Sequence, residues 1–163
     1  MSKIQPVIEY LKYLLRHKWY VFVKCIQHGL LWRGIVHDLS KFLPSEFTSY
    51  VEHFHGKHAV RPSVGADKIG YCKPEVTSDC SFEWAWFRHQ RRNDHHWQWW
   101  VCITSKGRHI PMPMSSKARL EMICDWHGAG MAQGDPDIRG WYERNKEGML
   151  LHPETRAWVE QNL

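Results

Sequence analysis

Apolar residues in the first part of the chain recur every three or four positions, with charged residues between them. This spacing places the apolar side chains on one face of an α-helix. We predict a helix over residues 4–28 that breaks near Lys18 and is closed by Gly29 as its C-cap. A shorter apolar segment over residues 30–36 predicts a second helix, which leads into the pentapeptide His37–Lys41.

The middle of the chain changes from helical periodicity to turn-forming residues. Pro44 and Ser45 predict the start of a helix over residues 46–55, with Ser45 as its N-cap. Residues 56–81 contain three glycines, two prolines and few apolar residues. This composition predicts a long loop or a lid.

Helical patterns dominate the second half of the chain as well, interrupted by one strand signal. We predict, in order, a helix over 82–92 capped by Ser81, a hairpin of strands 101–103 and 108–112, a helix that starts at Ser115 or Ser116 and stops at Gly128 or Gly130, a short helix near 137–147 and a last helix after Pro153. The predicted fold class is therefore mostly α, a compact helical bundle with one small β-hairpin, in a single domain over residues 1–163.

Composition excludes several classes of protein. Of the 163 residues, 43% are hydrophobic and 24% are charged, so the chain can bury a core and is neither disordered nor fibrous. No apolar run approaches the roughly 20 residues of a membrane span, and the N-terminal segment has no signal-peptide cleavage site. The cysteines are odd in number, five, which indicates reduced thiols. We therefore expect a cytoplasmic protein without a membrane partner.

Two further features point to chemistry. The net charge of +5 and the pI near 9 favour an anionic partner, either a nucleic acid or a phosphorylated small molecule. The chain also contains 12 histidines and 10 tryptophans. The histidines favour metal chemistry, and the tryptophans require a thick aromatic core or an aromatic-lined pocket.

The most informative dipeptide is His37-Asp38. The two side chains can offer an imidazole nitrogen and a carboxylate to one metal ion, and the carboxylate can bridge to a second. Taken alone, the dipeptide also suits an ordinary turn with a buried histidine. The metal interpretation becomes stronger because His17 precedes this dipeptide and further histidines and an aspartate follow it. Antiparallel helices can bring residues in this order into one bundle core. The candidate residues are His17, His37, Asp38, His89, His95, His96 and Asp125.

The order of these residues resembles the HD-domain superfamily of metal-dependent phosphohydrolases. The string Ile35–Lys41 is similar to that superfamily's hydrophobic-His-Asp-hydrophobic-small-Lys motif, and His95-His96 resembles the doublet of its two-metal branches. The chain also resembles an uncharacterised family of phage and bacterial proteins, which would place it in a host cytoplasm. The matching motifs are HDLSK at His37–Lys41, RN-x-HHWQ at Arg92–Gln98 and the helix Glu121–Trp126.

The HD resemblance implies a set of metal ligands. It assigns His17, His37, Asp38 and Asp125 to a first ion, and it makes Asp38 a bridge to a second. The ions would be one or two of Mn, Fe, Co, Ni or Zn. A mononuclear site stays open, as does pairing of Asp125 with Arg119. The second ion's implied ligands are His89, His95 and His96, with His53, His55 or His58 as alternatives to His89.

The same resemblance implies metal-assisted hydrolysis of a nucleotide or nucleotide-like phosphate. Asp38 and Lys41 are the implied catalytic residues. Trp97, in the Trp97–Trp100 run, is a candidate for stacking a base, although tryptophans more often fill a core. The candidate phosphate-binding residues are Arg16, Lys41, Arg91 and Arg92.

Two other functions remain open at the level of sequence. One is a binding module that holds a nucleotide or single-stranded nucleic acid without turnover, through Lys41, Arg91, Arg92 and the tryptophan run. Such binding should weaken steeply with salt. The other, less favoured, is an oxygenase with two irons, a chemistry that some HD-fold proteins carry out.

Overall fold

The computed structural model describes residues 4–56 and 80–163, and within these ranges the mostly α prediction is confirmed. The described residues form seven α-helices and one antiparallel two-stranded hairpin. In chain order these are α1 Ile4–Gln27, α2 Leu31–Val36, α3 Pro44–His55, α4 Cys80–Arg92, β1 Val101–Ile103, β2 His109–Pro111, α5 Ser116–Gln133, α6 Ile138–Asn145 and α7 Pro153–Asn162. Short 3₁₀ helices cover Leu39–Phe42, Trp97–Trp100 and Lys146–Gly148.

Helix α1 is continuous, so the predicted break near Lys18 is wrong. The buried face, which includes Tyr10, Leu14 and Val21, runs past Lys18 without interruption. The Lys18 ammonium donates to the main-chain carbonyl of His37, at the end of α2. The positive charge therefore satisfies a helix-terminal carbonyl on a neighbouring element rather than ending its own helix.

Gly29 closes α1 as predicted. Its φ of +71° is in the left-handed region that favours glycine. The N–H groups of Gly29 and Leu30 donate to the carbonyls of Ile26 and Cys25, at 3.0 and 2.8 Å. This pair of bonds is a Schellman motif, and it turns the chain directly into α2.

Three predicted helix boundaries need correction. Helix α3 begins at Pro44 with Leu43 as its N-cap, so Ser45 lies inside the first turn. Helix α4 begins at Cys80, so Ser81 is not its cap. The Ser115 side chain does cap α5, but this helix continues through Gly128 and ends at Gly134, where φ is +86°. The other helices and the hairpin, with Val101 opposite Pro111, lie where the sequence predicts them.

Gly128 lies inside α5, at a point where α1 packs too closely for any larger residue. A Cβ at this position would lie 2.3 Å from Val21 Cγ2 and 2.9 Å from the Val21 main-chain nitrogen. The two helices are antiparallel, as the hydrogen bond from Gln133 to Tyr13 near the other end also indicates. The glycine thus permits a close helix crossing, and it fixes the neighbouring turns that carry polar residues into the interior.

Three apolar clusters surround that interior. One joins α5, α6 and α7, the second joins α1, α3 and α4, and the third lies between α1 and α5. Their largest fully buried apolar or aromatic side chains are Tyr10, Tyr142, Phe82, Leu14, Met122, Val21 and Val159.

The loop or lid predicted over residues 56–81 falls mainly on residues 57–79, which are outside the described ranges. Among the described residues, no helix combines the length and the apolar character that crossing a membrane requires.

We expect Gly128→Ala to destabilise the protein by about 1–3 kcal/mol, the typical cost of overpacking a tight contact. At an open helical position the same change would stabilise by about 1 kcal/mol, so the sign of the effect is diagnostic. Urea unfolding measures it. In the double variant with Val21→Ala, the total loss should be smaller than the sum of the two separate losses, because Val21→Ala removes the clash with Cγ2. A gain in stability for Gly128→Ala alone would contradict the close crossing.

Candidate metal centre

Asp38 lies at the centre of the site and is fully buried. It lies in the turn between α2 and the following 3₁₀ helix, with φ +54° and ψ +23°. Among the described residues other than glycine, it alone has a positive φ. Residues other than glycine rarely adopt this backbone conformation, and those that do are concentrated at functional sites. The turn brings two consecutive side chains into one site, with His37 Nε2 3.4 Å from Asp38 Oδ2.

A first group of ligand-type atoms lies around Oδ2 of Asp38. His17 Nε2, from α1, is 3.5 Å from this oxygen and 3.4 Å from His37 Nε2. Asp125, from α5, places Oδ1 3.2 Å from His17 Nε2 and 3.3 Å from His37 Nε2. These four side chains come from three elements and converge on one point, and they could hold a metal ion.

A second group lies around the other oxygen of Asp38. Oδ1 is 3.3 Å from His89 Nε2, on α4, and 3.5 Å from His95 Nε2. His96 completes this group. Within the described part of the chain, the buried Nε2 atoms of His89, His95 and His96 have no hydrogen-bond partner. A buried polar atom without a partner reduces the stability of the folded state, and a bound ligand would remove this penalty for the three nitrogens.

Lys41 lies at the edge of both groups. Its Nζ is 2.6 Å from Asp38 Oδ2, one turn along the 3₁₀ helix. Burial by itself lowers the pKa of Lys41, but the adjacent Asp38 carboxylate raises it well above its ordinary value. The ammonium is therefore charged, and it is the nearest fixed cation to the shared carboxylate.

Glu121 holds the outer nitrogens of two of these histidines. Its Oε1 is 2.9 Å from His37 Nδ1 and 3.3 Å from His95 Nδ1. Its Oε2 accepts from Arg33, which also pairs with Asp94. A carboxylate that accepts from Nδ1 fixes the tautomer that leaves Nε2 free to bind a metal.

Glu46 does the same for His89. Its Oε2 is 3.0 Å from His89 Nδ1 and accepts from Ser40 Oγ at 2.9 Å, while its Oε1 accepts from Arg92. The Asn93 amide binds the main-chain carbonyl of His89 at 2.8 Å and so holds the end of α4. Each inward-facing Nε2 of His37, His89 and His95 therefore has a carboxylate behind its ring.

The electrostatics of the site keep the carboxylates ionised. Burial by itself raises the pKa of Asp38, but His37, Lys41 and His89 lower it well below its usual range. In the metal-free protein, burial lowers the pKa of His37, whereas Asp38, Asp125 and Glu121 raise it to about 10. A metal ion at Nε2 would therefore displace the proton that this nitrogen carries. The site is thus built from opposite charges that stabilise one another in the protein interior.

His96 differs from His37 in the direction in which its pKa is shifted. Burial and the neighbouring His95 and His89 lower its pKa well below the ordinary value. The ring is therefore neutral at physiological pH, and a neutral imidazole is the form that binds metals.

A cavity of about 250 Å³ opens from the side of the site that faces α5 and α6. Lys41 and Asp125 line its inner end, together with His17, His95 and His96. Trp97 lines the wall of the cavity and also packs against the α5–α7 cluster.

The structure thus brings together all seven predicted metal ligands and Lys41. The predicted arginines lie elsewhere. Arg16 is exposed, Arg91 lies over the Phe87 ring at 5.6 Å, and Arg92 pairs with Glu46. None of the three lines the cavity.

The alternatives that sequence left open can also be placed. His53 stacks on Phe82 with ring centroids 3.7 Å apart, and His55 lies beside Tyr10. His58 is outside the described residues. Arg119 pairs with Glu154 and lies over Trp158, whereas Asp125 faces the histidines.

Sequence reasoning missed the two buried glutamates. Glu121 precedes Asp125 by one helical turn, so the i, i+4 spacing on a helix already assigned to the site could have identified it. Glu46 lies in the first turn of α3, where an acidic residue is expected for the helix dipole alone. Nothing else in the sequence around Glu46 indicated that it contacts the site.

In metal-free protein, we expect the free energy of unfolding to fall as the pH decreases from about 4.5 to about 2. Burial raises the pKa of Glu121, but hydrogen bonds from His37 and His95 lower it to about 2 in the folded state. Its ionised form therefore contributes up to about 3 kcal/mol above pH 4.5, at about 1.4 kcal/mol per pKa unit, and this is lost on protonation.

Chemical denaturation in the presence of a chelator measures this dependence. Glu121→Gln should have a shallower slope over the same interval, because glutamine does not titrate. Equal slopes for the two proteins would contradict the assigned role of Glu121.

Residues 7–163 match the model of DUF5662, a family of unknown function. No curated protein and no solved structure has significant similarity to the chain. Because the family match spans nearly the whole chain and includes every residue of the candidate metal centre, the protein belongs to the DUF5662 family.

Proposed function

We propose that this protein is a metal-dependent phosphohydrolase that acts on a nucleotide or nucleotide-like phosphate through a His/Asp centre of one or two ions. The observation that carries the proposal is the convergence of five histidines and two aspartates on a buried point from four parts of the fold. Buried glutamates hold the outer nitrogens of three of those histidines.

The spacing of the donor atoms suits a metal. Bonds of about 2.0–2.2 Å to nitrogen and oxygen place neighbouring ligands about 3–3.5 Å apart. The separations around Asp38 Oδ2 and Asp125 Oδ1 range from 3.2 to 3.5 Å. Imidazole and carboxylate donors together suit Mn, Fe, Co, Ni or Zn.

Asp38 favours two ions over one. Its two oxygens face two different groups of histidines, His17 and His37 on one side and His89 and His95 on the other. A carboxylate in this position can give one oxygen to each ion. Asp125 completes the first group and His96 the second.

Ions bound here would supply Lewis acidity and would make water acidic enough to deprotonate near neutral pH. The chain's own residues supply the remaining requirements. Lys41 lines the cavity beside the shared carboxylate, where its ammonium can bind a phosphate oxygen. Burial of the histidines keeps bulk water out and strengthens these charge interactions.

The resemblance to HD-domain phosphohydrolases supports this choice of reaction. That resemblance implies the same seven side chains as ligands of two ions, and its motif includes Lys41. The two groups of donor atoms that surround Asp38 contain those seven residues, which supports the proposal.

We expect purified protein to contain one or two equivalents of a transition metal, measured by inductively coupled plasma mass spectrometry. Asp38→Ala should lose most of this metal, because Asp38 contributes to both groups. His28→Ala is a matched control, since His28 is exposed and lies outside both groups. Absence of metal from wild-type protein after reconstitution with Mn, Fe or Ni would contradict the proposal.

We also expect metal-loaded protein to release phosphate from a nucleotide and Asp38→Ala to reduce the rate at least about 100-fold, because loss of the centre removes several kcal/mol of transition-state stabilisation. Circular dichroism should give the same helix content for both proteins. Hydrolysis should be equal with and without oxygen. An absolute requirement for oxygen would indicate an iron oxygenase instead, and nucleotide binding that survives EDTA without release of phosphate would indicate a binding module.

A further inference from the structure

The cavity beside the metal centre has two chemically different ends. Its inner end carries the charged and metal-ligating side chains, including Lys41 and Asp125. The rest of the lining is mainly apolar and aromatic, with Asp135 as a further charged residue. A ligand that fills both parts must therefore join an anionic group to a body that prefers an apolar surface.

Indole rings form much of the apolar part. Trp97, Trp126 and Trp141 line it, whereas Trp86, another lining residue, lies against His89 and His96 of the metal centre. Trp126 and Trp141 lie 5.2 Å apart between ring centroids, at 53°, and both pack against the α5–α7 core cluster. These rings are held by the fold, so they offer preformed flat surfaces. Such surfaces suit a planar aromatic group.

Gln98 adds a polar contact to this wall. It follows His96 closely, in the 3₁₀ helix Trp97–Trp100, and lines the cavity. Its side-chain oxygen is buried and has no hydrogen-bond partner within the described ranges. By contrast, the amide of Gln133, another lining residue, donates to the Tyr13 hydroxyl at 3.2 Å. The side-chain oxygen of Gln98 is thus an acceptor without a partner, and because it is buried, the amide must rotate to present it to an N–H or O–H donor in the cavity.

The charge and size of the cavity limit what the anionic group can be. Among the described residues that line it, Lys41 is the single lysine or arginine, and it already pairs with Asp38. Asp125 and Asp135 also line the cavity. This balance suits one phosphate held at the metal centre and disfavours a chain of phosphates. The volume of about 250 Å³ is at the small end of ligand pockets, about 300–1,000 Å³, which suits one nucleotide-sized molecule and disfavours two linked nucleotides.

We propose that the cavity selects a phosphomonoester with a single phosphate and one planar heteroaromatic body, and that Gln98 is a specificity-determining residue that accepts an N–H donor from that body. This inference rests on the proposed hydrolysis for its kinetic part, but the cavity's binding preference is independent of turnover. It predicts discrimination against triphosphates, dinucleotides and phosphates without an aromatic group.

Binding is tested first, by stopped-flow tryptophan fluorescence with the wild-type protein in its metal-loaded form, measured in the rapid phase that precedes turnover. The probes are the common ribonucleoside 5′-monophosphates, ribose 5-phosphate, phenyl phosphate and adenosine 5′-triphosphate. We expect the best nucleoside monophosphate to bind at least about tenfold more tightly than ribose 5-phosphate, because a stacked base contributes this much or more. Equal binding of these two, or tighter binding of the triphosphate, would overturn the inference.

Gln98→Leu tests the polar contact, with Gln90→Leu as the matched control because Gln90 does not line the cavity. We expect kcat/KM for the preferred nucleoside monophosphate to fall about tenfold or more in Gln98→Leu, and kcat/KM for phenyl phosphate, which has no N–H donor, to change less than twofold. A uniform loss for both substrates, or no loss for either, would overturn the role of Gln98.

The design separates the two proposals. Metal-dependent hydrolysis that requires Asp38 but does not distinguish the substrates would leave the proposed function standing and overturn this inference. If no substrate is hydrolysed, the proposed function fails, and the inference is then judged on binding constants alone, with Gln98→Leu expected to weaken the nucleoside monophosphate about tenfold and phenyl phosphate less than twofold.

Discussion

The fold depends on how it stabilises one buried negative charge, the carboxylate of Asp38. An ionised carboxylate transferred from water into a protein interior costs several kcal/mol unless charges and hydrogen-bond donors surround it. Here the compensation comes from His37 and Lys41 on the same turn, from His89 on α4 and from His17 on α1. Because these side chains come from different helices, their interactions with Asp38 hold those helices together.

The surrounding histidines impose a second requirement, which Glu46 and Glu121 meet. Each glutamate holds one or two imidazole rings from behind and is in turn paired with an arginine, Arg92 or Arg33. Charges therefore alternate outward from Asp38 to the half-exposed arginines. Such layers fix ring orientation before any metal binds, which reduces the rearrangement needed to form a site. The close crossing at Gly128 holds α1 and α5 near enough for this arrangement.

Sequence patterns were sufficient where local physics decides the outcome. Helical periodicity located α1, α2 and α5, and the order of histidines and aspartates identified the ligand-type residues that converge at Asp38. Patterns failed where a distant contact decides. Gly128 resembles a helix terminator unless the neighbouring backbone of Val21 is known. Arg92 resembles a phosphate ligand, but its partner Glu46 is 46 residues away in sequence. Lys18 was predicted to break α1. The sequence around it does not indicate that its ammonium donates to the carbonyl of His37, at the end of α2.

The most direct test of the central claim is a crystal structure of the metal-loaded protein with anomalous scattering data collected at the absorption edge of the bound metal. The account predicts two anomalous peaks about 3.5–4 Å apart, the usual separation in two-metal sites. Asp38 should lie between them, with His17, His37 and Asp125 on one ion and His89, His95 and His96 on the other. A peak outside this cluster, with Asp38 still paired only to protein side chains, would contradict the account.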